Sequence, residues 1–384
     1  MGGLCRTVVH GGRMAAGYYD ITRKREKREM AGKNRTYHEK RETEYVLQLR
    51  GLLEELPPYT RDYFRAIEQK SSAKTRISYA YDFQVFLRFL IEKNPMLTGK
   101  TLREITLNDL DRLTALDIEE YQEYLKYYES ENGEQKNGAN SIARKMSSLR
   151  SMFDYFFKKE LLSKNVAMQV DMPKIHEKAI IHLEPDEVAI FLDSLDNYEK
   201  ELTGKKKDFF LKTKVRDIAI VTLFLGTGIR VSECVGLDIN DVNFRENSIR
   251  IIRKGGNEAV LYFGEEVEKA LLDYIEGPRA QIAKQALPGE ENALFFSLQK
   301  KRISVHAVEN LVEKYAREFV PQKKITPHKL RSTFGTTLYQ ETEDIYLVAD
   351  VLGHSDVGTT RKHYAAIKDQ NRRKAARTVK LRDN

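Results

Sequence analysis

From about Leu53 onward the hydrophobic positions take up a helical period, most clearly in TRISYAYDFQVFLRFLIEK, where Tyr79, Phe83, Phe86 and Leu90 recur at spacings of four, three and four. Such a stripe reads as the buried face of a helix, and its aromatics as core side chains; base-stacking platforms sit on exposed surface. A second helix is predicted in SIARKMSSLRSMFDYFFKKELL, with Ile142, Met146, Leu149 and Phe153 on one face and Arg144, Lys145 and Ser148 elsewhere. That polar side suits either solvent or phosphates. Between residues 164 and 181 neither period holds, and Pro173 falls in the middle, which predicts an extended linker.

A new helix follows in HLEPDEVAIFLDSL, where Pro185 and its acidic neighbours suit a first turn. The Lys-rich NYEKELTGKKKDFFLKTK reads as a loop or as an extension of the apolar helix DIAIVTLFL behind it. In NSIRIIRKGGNEAVLYF two strand-like runs flank Gly255, Gly256 and Asn257, predicting a hairpin with Lys254 at the entrance to its turn. Residues 1–50 show no sustained period and include the run RKREKRE, so a disordered or weakly helical basic arm is expected there. The opening MGGLCRTVVHGG is unlike the rest, and Met30 is an alternative start.

Length and charge change this picture modestly. A chain of 384 residues exceeds the usual single compact domain, so two cores are expected. The 65 Lys and Arg against 57 Asp and Glu give a net charge of +8, which favours a polyanionic partner without requiring one. The two cysteines, Cys5 and Cys234, supply neither a disulfide framework nor a metal knuckle, which fits a reducing compartment. No apolar run approaches the roughly 18 residues of a membrane span, and no secretory leader is evident. A soluble cytoplasmic protein is expected.

The candidate chemistry lies in three further stretches. LFLGTGIRVSECVGLDINDV ends a helix in Gly226 and Gly228 and opens the next with Arg230 and Glu233. ITPHKLRSTFGTTLY sets His328 and Arg331 three apart at a helix start, and LGHSDVGTTRKHYAAI brings His354 and, ten residues later, Tyr364. Alone, each is ordinary: Arg230 and Glu233 would be a helical ion pair, Lys254 a solvated turn residue and Tyr364 one tyrosine among 20.

Taken in order, TGIRVSE, a lysine beside a Gly-rich turn, HKLR, LGH and the final tyrosine resemble the tyrosine recombinase and phage integrase family, in particular its Xer-like site-specific recombinases. The resemblance reaches back to the helices around Phe83 and Met146, so it spans roughly residues 55–370. It implies a mainly α fold with a small antiparallel sheet: a helical, SAM-like core-binding domain followed by an α+β catalytic domain. The corresponding division is an arm over 1–50, a DNA-binding domain over 51–163, a linker over 164–181 and a catalytic domain with a basic tail over 182–384.

The resemblance also assigns roles. Tyr364 is the nucleophile, forming a 3′-phosphotyrosine and freeing a 5′-hydroxyl; Arg230 and Arg331 bind nonbridging phosphate oxygens; His328 and His354 donate hydrogen bonds and move protons; Lys254 is the general acid; Glu233 orients Arg230. These residue types suit the task, because guanidinium forks match phosphate and a phenol of pKa about 10 needs a base or a positive field. No cofactor is implied: the chain has no GxxxxGK[ST] loop and no evident two-metal carboxylate cluster.

The implied partners are a double-stranded recombination site and three further copies of the chain in a tetramer on synapsed DNA, with a monomer or weak dimer when free and no membrane. Arg144, Lys145, Lys205, Lys206 and Lys207 are the candidate DNA contacts, and the tail AAIKDQNRRKAARTVKLRDN is either a docking segment or a frayed end. Asn165-Val166 departs from the family's usual Asn-Pro, which puts a rigid linker start in doubt. Two rivals share the residues: a type IB topoisomerase-like relaxation enzyme and a catalytically idle DNA-binding regulator.

Overall fold

The structure, a computed structural model, describes residues 36–130, 133–175, 181–253, 255–353 and Gly358. The chain divides into two compact units, Met1–Glu177 and Lys178–Asn384.

In the first unit, helix α1 (Tyr37–Glu55) starts at a capping box. Glu39 N donates to Thr36 Oγ1 at 3.3 Å and Thr36 N to Glu39 Oε2 at 2.8 Å. Leu49, Leu52 and Leu56 are buried behind it. The arm expected over 1–50 therefore gives way to packed helix at Tyr37, because the cap starts the helix and these leucines hold it down. Residues 1–35, with Met30 and the basic run, lie outside the described residues. Helices α2 (Thr60–Ala66), α3 (Ala73–Lys93), α4 (Leu107–Asp111), α5 (Ala115–Tyr124) and α6 (Ala139–Lys158) complete the bundle.

Phe83, Phe86 and Leu90 of α3 are core residues as their spacing predicts, and Tyr79 packs against that core half-buried. The Phe86 ring meets Tyr121 edge-on at 4.9 Å, so these aromatics are engaged inside. A hairpin of β1 (Tyr127–Ser130) and β2 (Gly133–Lys136), paired Tyr127 to Lys136, was not signalled by its mostly polar sequence. Ser148, expected beside the cations on the polar face of α6, is fully buried. The expected linker also begins late. Val166, Ala167 and Val170 are buried in the first core, and Arg150 donates to the carbonyls of Ala167 and Val170, which fastens this stretch to α6.

In the second unit, α7 (Pro185–Asn197) begins with proline in its first turn, and α8 runs from Gly204 to Thr227. The Lys-rich stretch is thus the start of α8, not a loop, because Phe210 is buried there against Tyr198, ring centroids 5.3 Å apart. Further along, Ala219, Ile220, Val221, Leu223 and Phe224 are all buried, as in a helix enclosed on every side. Helix α9 (Val231–Gly236) leads into an antiparallel sheet of β3 (Val242–Asn243), β4 (Ser248–Ile252) and β5 (Glu258–Tyr262) in that order. Ile249 pairs with Leu261 on the buried face and Arg250 with Val260 on the outer one.

Helices α10 (Glu265–Tyr274), α11 (Ala280–Ala283), α12 (Val305–Phe319), α13 (Pro327–Thr342) and α14 (Ile345–Leu352) follow. The buried Asp217 of α8 accepts from Tyr315 Oη at 2.8 Å and from Arg216 Nη2 at 2.7 Å, so that charge is paired. The whole is mainly helical with a small antiparallel sheet, the expected fold class. Among the described residues no helix is long and apolar enough to cross a membrane, and no cluster of His, Cys, Asp and Glu could hold a metal.

Candidate active site

The last carbonyls of a helix lack partners within it and carry its negative end. At the C-terminus of α14 those carbonyls face three arginines from three different places in the chain.

Arg230 stands at the N-cap of α9. Its main-chain N–H donates to Glu233 Oε2 at 2.9 Å and its Nη1 to Glu233 Oε1 at 2.8 Å, while Nη2 donates to the carbonyls of Leu352 (3.2 Å) and Gly353 (3.1 Å). Glu233 is only 4% exposed, so its carboxylate fixes Arg230 from below. Arg331, on the second turn of α13 and 5% exposed, donates from Nη1 to the Gly228 carbonyl and from Nη2 to the Leu352 carbonyl. The Leu352 oxygen thereby gathers both guanidinium groups. Gly228, in TGIR, caps α8 at φ 62°, and a Cβ there would overlap the Phe334 ring, so the turn presenting its carbonyl to Arg331 requires glycine.

Arg253, at the end of β4, completes the group. Its Nη2 donates to the Val351 carbonyl at 3.0 Å, and Nη1 and Nη2 lie 3.4 Å from the Asp350 carbonyl. The sequence had not singled it out; its one signal was its place beside Lys254 in the hairpin. His328 lies one turn before Arg331 on α13, exposed at the helix start just after Pro327.

The structure thus brings Arg230, Glu233, Arg331 and, through its helix, His328 into one region. Lys254, His354 and Tyr364 lie outside the described residues, as do the basic tail and the docking expected of it. Their chain neighbours are placed: Arg253 and Gly255 flank Lys254, and Gly353 precedes His354.

What the arrangement can do follows from its charges. Neutral carbonyls hold the guanidinium groups in place without cancelling them, apart from Arg230's partner Glu233, so the site keeps net positive charge for an anion.

The other candidate contacts lie elsewhere. In the first unit Arg144 makes a bidentate pair with the buried Asp82, Nη1 to Oδ2 at 2.6 Å and Nη2 to Oδ1 at 2.7 Å. Ser148 Oγ donates to the same carboxylate at 3.0 Å. Lys145, expected on the open polar face, turns inward with its side chain 11% exposed and Nζ 3.3 Å from Asp82 Oδ1, because that carboxylate attracts it. In the second unit Lys205, Lys206 and Lys207 occupy the first turn of α8, with Lys205 and Lys206 exposed. At 1.5 Å per residue they stand roughly 33 Å along that helix from Gly228.

Residues 184–371 match the phage integrase family, and residues 55–171 match the phage integrase SAM-like domain. The chain belongs to the phage integrase family, the tyrosine recombinases. It is 32% identical to "Tyrosine recombinase XerC" of Caldanaerobacter subterraneus subsp. tengcongensis, over 82% of this chain and 83% of that one. It is 29% identical to "Tyrosine recombinase XerS" of Lactococcus lactis subsp. cremoris, over 83% of this chain and 94% of the relative.

Two solved structures share its fold. One is the XerH site-specific recombinase bound to palindromic difH substrate, with 20% identity, a TM-score of 0.55 and coverage of 76% of this chain and 75% of that one. The other is a lambda integrase dimer bound to a COC′ core site, with 15% identity, a TM-score of 0.55 and coverage of 79% and 93%.

Proposed function

We propose that the protein is a site-specific DNA recombinase that breaks and rejoins strands through Tyr364, working as a tetramer on two synapsed double-stranded sites. The observation that carries this reading is the arginine cradle, Arg230 and Arg331 on the carbonyls of Gly228, Leu352 and Gly353, in a chain of the phage integrase family. A phosphodiester resists cleavage until charge on the phosphate is offset, the nucleophile is activated and the leaving oxygen is protonated.

The Tyr364 oxygen attacks phosphorus, and its phenolic proton passes to one of the two histidines, His328 or His354. The bond from phosphorus to O5′ breaks while a proton from Lys254 goes to O5′. A 3′-phosphotyrosine and a 5′-hydroxyl result, and attack of a partner strand's 5′-hydroxyl on the phosphotyrosine reverses the step. The linkage keeps the bond energy, so the reaction requires neither ATP nor a metal.

The SAM-like unit would grip one side of the duplex and the catalytic unit the other. Lys205, Lys206 and Lys207 serve as phosphate contacts in this reading, in the cytoplasm at the nucleoid, whereas Arg144 and Lys145 are engaged by Asp82. Support for the lysines is electrostatic: cations at the positive end of a helix are unfavourable until an anion joins them.

The test is covalent trapping on a nicked suicide duplex randomised around the nick. Wild type should yield a denaturant-resistant protein–DNA adduct on a subset of sequences, and Tyr364→Phe none. An adduct that persists in Tyr364→Phe overturns the nucleophile assignment. Sequence-independent relaxation of supercoiled plasmid by the wild type would favour the topoisomerase-like reading.

A further inference from the structure

We propose that Arg253 is a positioning residue for the proton donor: it ties the turn between β4 and β5 to the C-terminus of α14, so that Lys254 meets the same phosphate as the arginine cradle. This rests on reading Lys254 as the general acid.

The main chain of Arg253 closes the hairpin, its N–H donating to the Asn257 carbonyl at 2.8 Å and its carbonyl accepting from Gly256 N at 3.1 Å. Its side chain leaves the sheet and reaches the Val351 and Asp350 carbonyls at the helix end. One guanidinium therefore joins two places near catalytic candidates: Lys254 follows Arg253, and His354 lies three residues after Val351.

The contact is a fitted one. Gly353 has φ 60°, and a Cβ on it would overlap the Arg253 guanidinium, so the glycine of LGH both turns the chain and makes room for this side chain. Arg253 Nε is buried and finds no hydrogen-bond acceptor among the described residues. Leaving that donor unmet costs free energy, which the close approach to Gly353 and the carbonyl contacts must offset.

Arg250 supplies the contrast within the same strand. It lies on the outer face and pairs with Asp241 at 2.8 Å and Glu258 at 3.2 Å, as a strand arginine ordinarily does. Arg253 instead spends its donors on carbonyls of another element. A short turn moves freely unless something fixes it, and misplacing a reacting group by about 1 Å costs on the order of a hundredfold in rate.

The experiment compares matched nicked duplexes, of a sequence recovered by the trapping selection, that carry oxygen or sulfur at the 5′-bridging position. A thiolate leaves without a proton, so the sulfur substrate makes general-acid catalysis unnecessary while still requiring phosphate binding and the nucleophile. Arg253→Ala should cleave the oxygen substrate about 10- to 100-fold more slowly and the sulfur substrate within about twofold of wild type.

Arg253→Lys, which keeps the charge but lacks the planar fork that reaches the Val351 and Asp350 carbonyls, should give the same split. Lys254→Ala should show it more strongly, and thermal melts confirm that each variant is folded. Equal slowing of Arg253→Ala on both substrates would mean a general structural role or direct phosphate binding, and it overturns the proposal. So does cleavage of the oxygen substrate by Arg253→Ala at the wild-type rate. Rescue of Lys254→Ala without rescue of Arg253→Ala sinks the positioning role alone; failure to rescue Lys254→Ala sinks the general-acid reading and the proposal with it.

Discussion

In the first unit, Arg144 gives both edges of its guanidinium to the buried carboxylate of Asp82, and Lys145 and Ser148 complete that oxygen pair. In the second, Arg230, Arg253 and Arg331 converge on main-chain carbonyls at the end of α14. The two clusters use the same side chain to opposite ends. A carboxylate holds an arginine by cancelling its charge, and the result is a cross-link between α3 and α6. A carbonyl holds it by its lone pairs alone, and the charge stays available to a phosphate. A helix C-terminus adds to this, since its dipole favours the cations it gathers.

The largest effect should come from breaking the second arrangement. Arg331→Ala should slow covalent trapping by about 10²- to 10³-fold, the usual loss when one preorganised charge donor is removed. Arg331→Lys should recover little of it, because an ammonium on a flexible stem does not bridge the Gly228 and Leu352 carbonyls as a planar fork does. A lysine variant with near-wild-type rates would show that charge alone suffices and that the geometry of the cradle is irrelevant.

Breaking the first arrangement should be read in stability. Asp82→Ala leaves an inward-turned Lys145 without its carboxylate, while Ser148 keeps the Lys145 carbonyl, and should cost about 3 kcal/mol in a urea melt. Arg144→Ala should cost about 1 kcal/mol, since that side chain is 47% exposed and Asp82 keeps two other donors. If the arginine variant is the more damaging, Asp82 is not the centre of the cluster.

The smallest effect belongs to the lysines of α8. Replacing Lys205, Lys206 and Lys207 by alanine should lower the salt-dependence slope of DNA affinity by about 0.9 for each phosphate that these side chains neutralise in the complex. The same change should raise the stability of the free protein by about 0.3 to 1 kcal/mol, because cations leave the positive end of a helix. An unchanged salt slope would remove these residues from the DNA interface.

What the sequence disclosed follows the range of the interactions involved. Arg230 with Glu233, and His328 with Arg331, are three residues apart within one helical turn, so local text carried them. The stripe through Phe83 and Phe86 was equally local. The Asp82 cluster was not legible, because Arg144 lies 62 residues from its partner and nothing near Asp82 marks it as buried. Arg253 looked like any residue at a strand end, since its acceptors lie 97 and 98 residues away. The Lys-rich start of α8 left loop and helix both open, because only Phe209, Phe210 and Leu211 interrupt its polar residues and the burial that makes Phe210 its anchor comes from distant contacts. The hairpin of β1 and β2 has too little apolar alternation to announce itself.

The end of α14 bears on how the reaction should respond to acidity. An arginine keeps its proton at any pH the fold survives, and a peptide carbonyl has none to gain or lose in that range. The contacts at Asp350, Val351, Leu352 and Gly353 are therefore blind to pH. A rate-versus-pH curve for strand cleavage would pass through these carbonyl contacts unaltered and report the groups that do exchange protons.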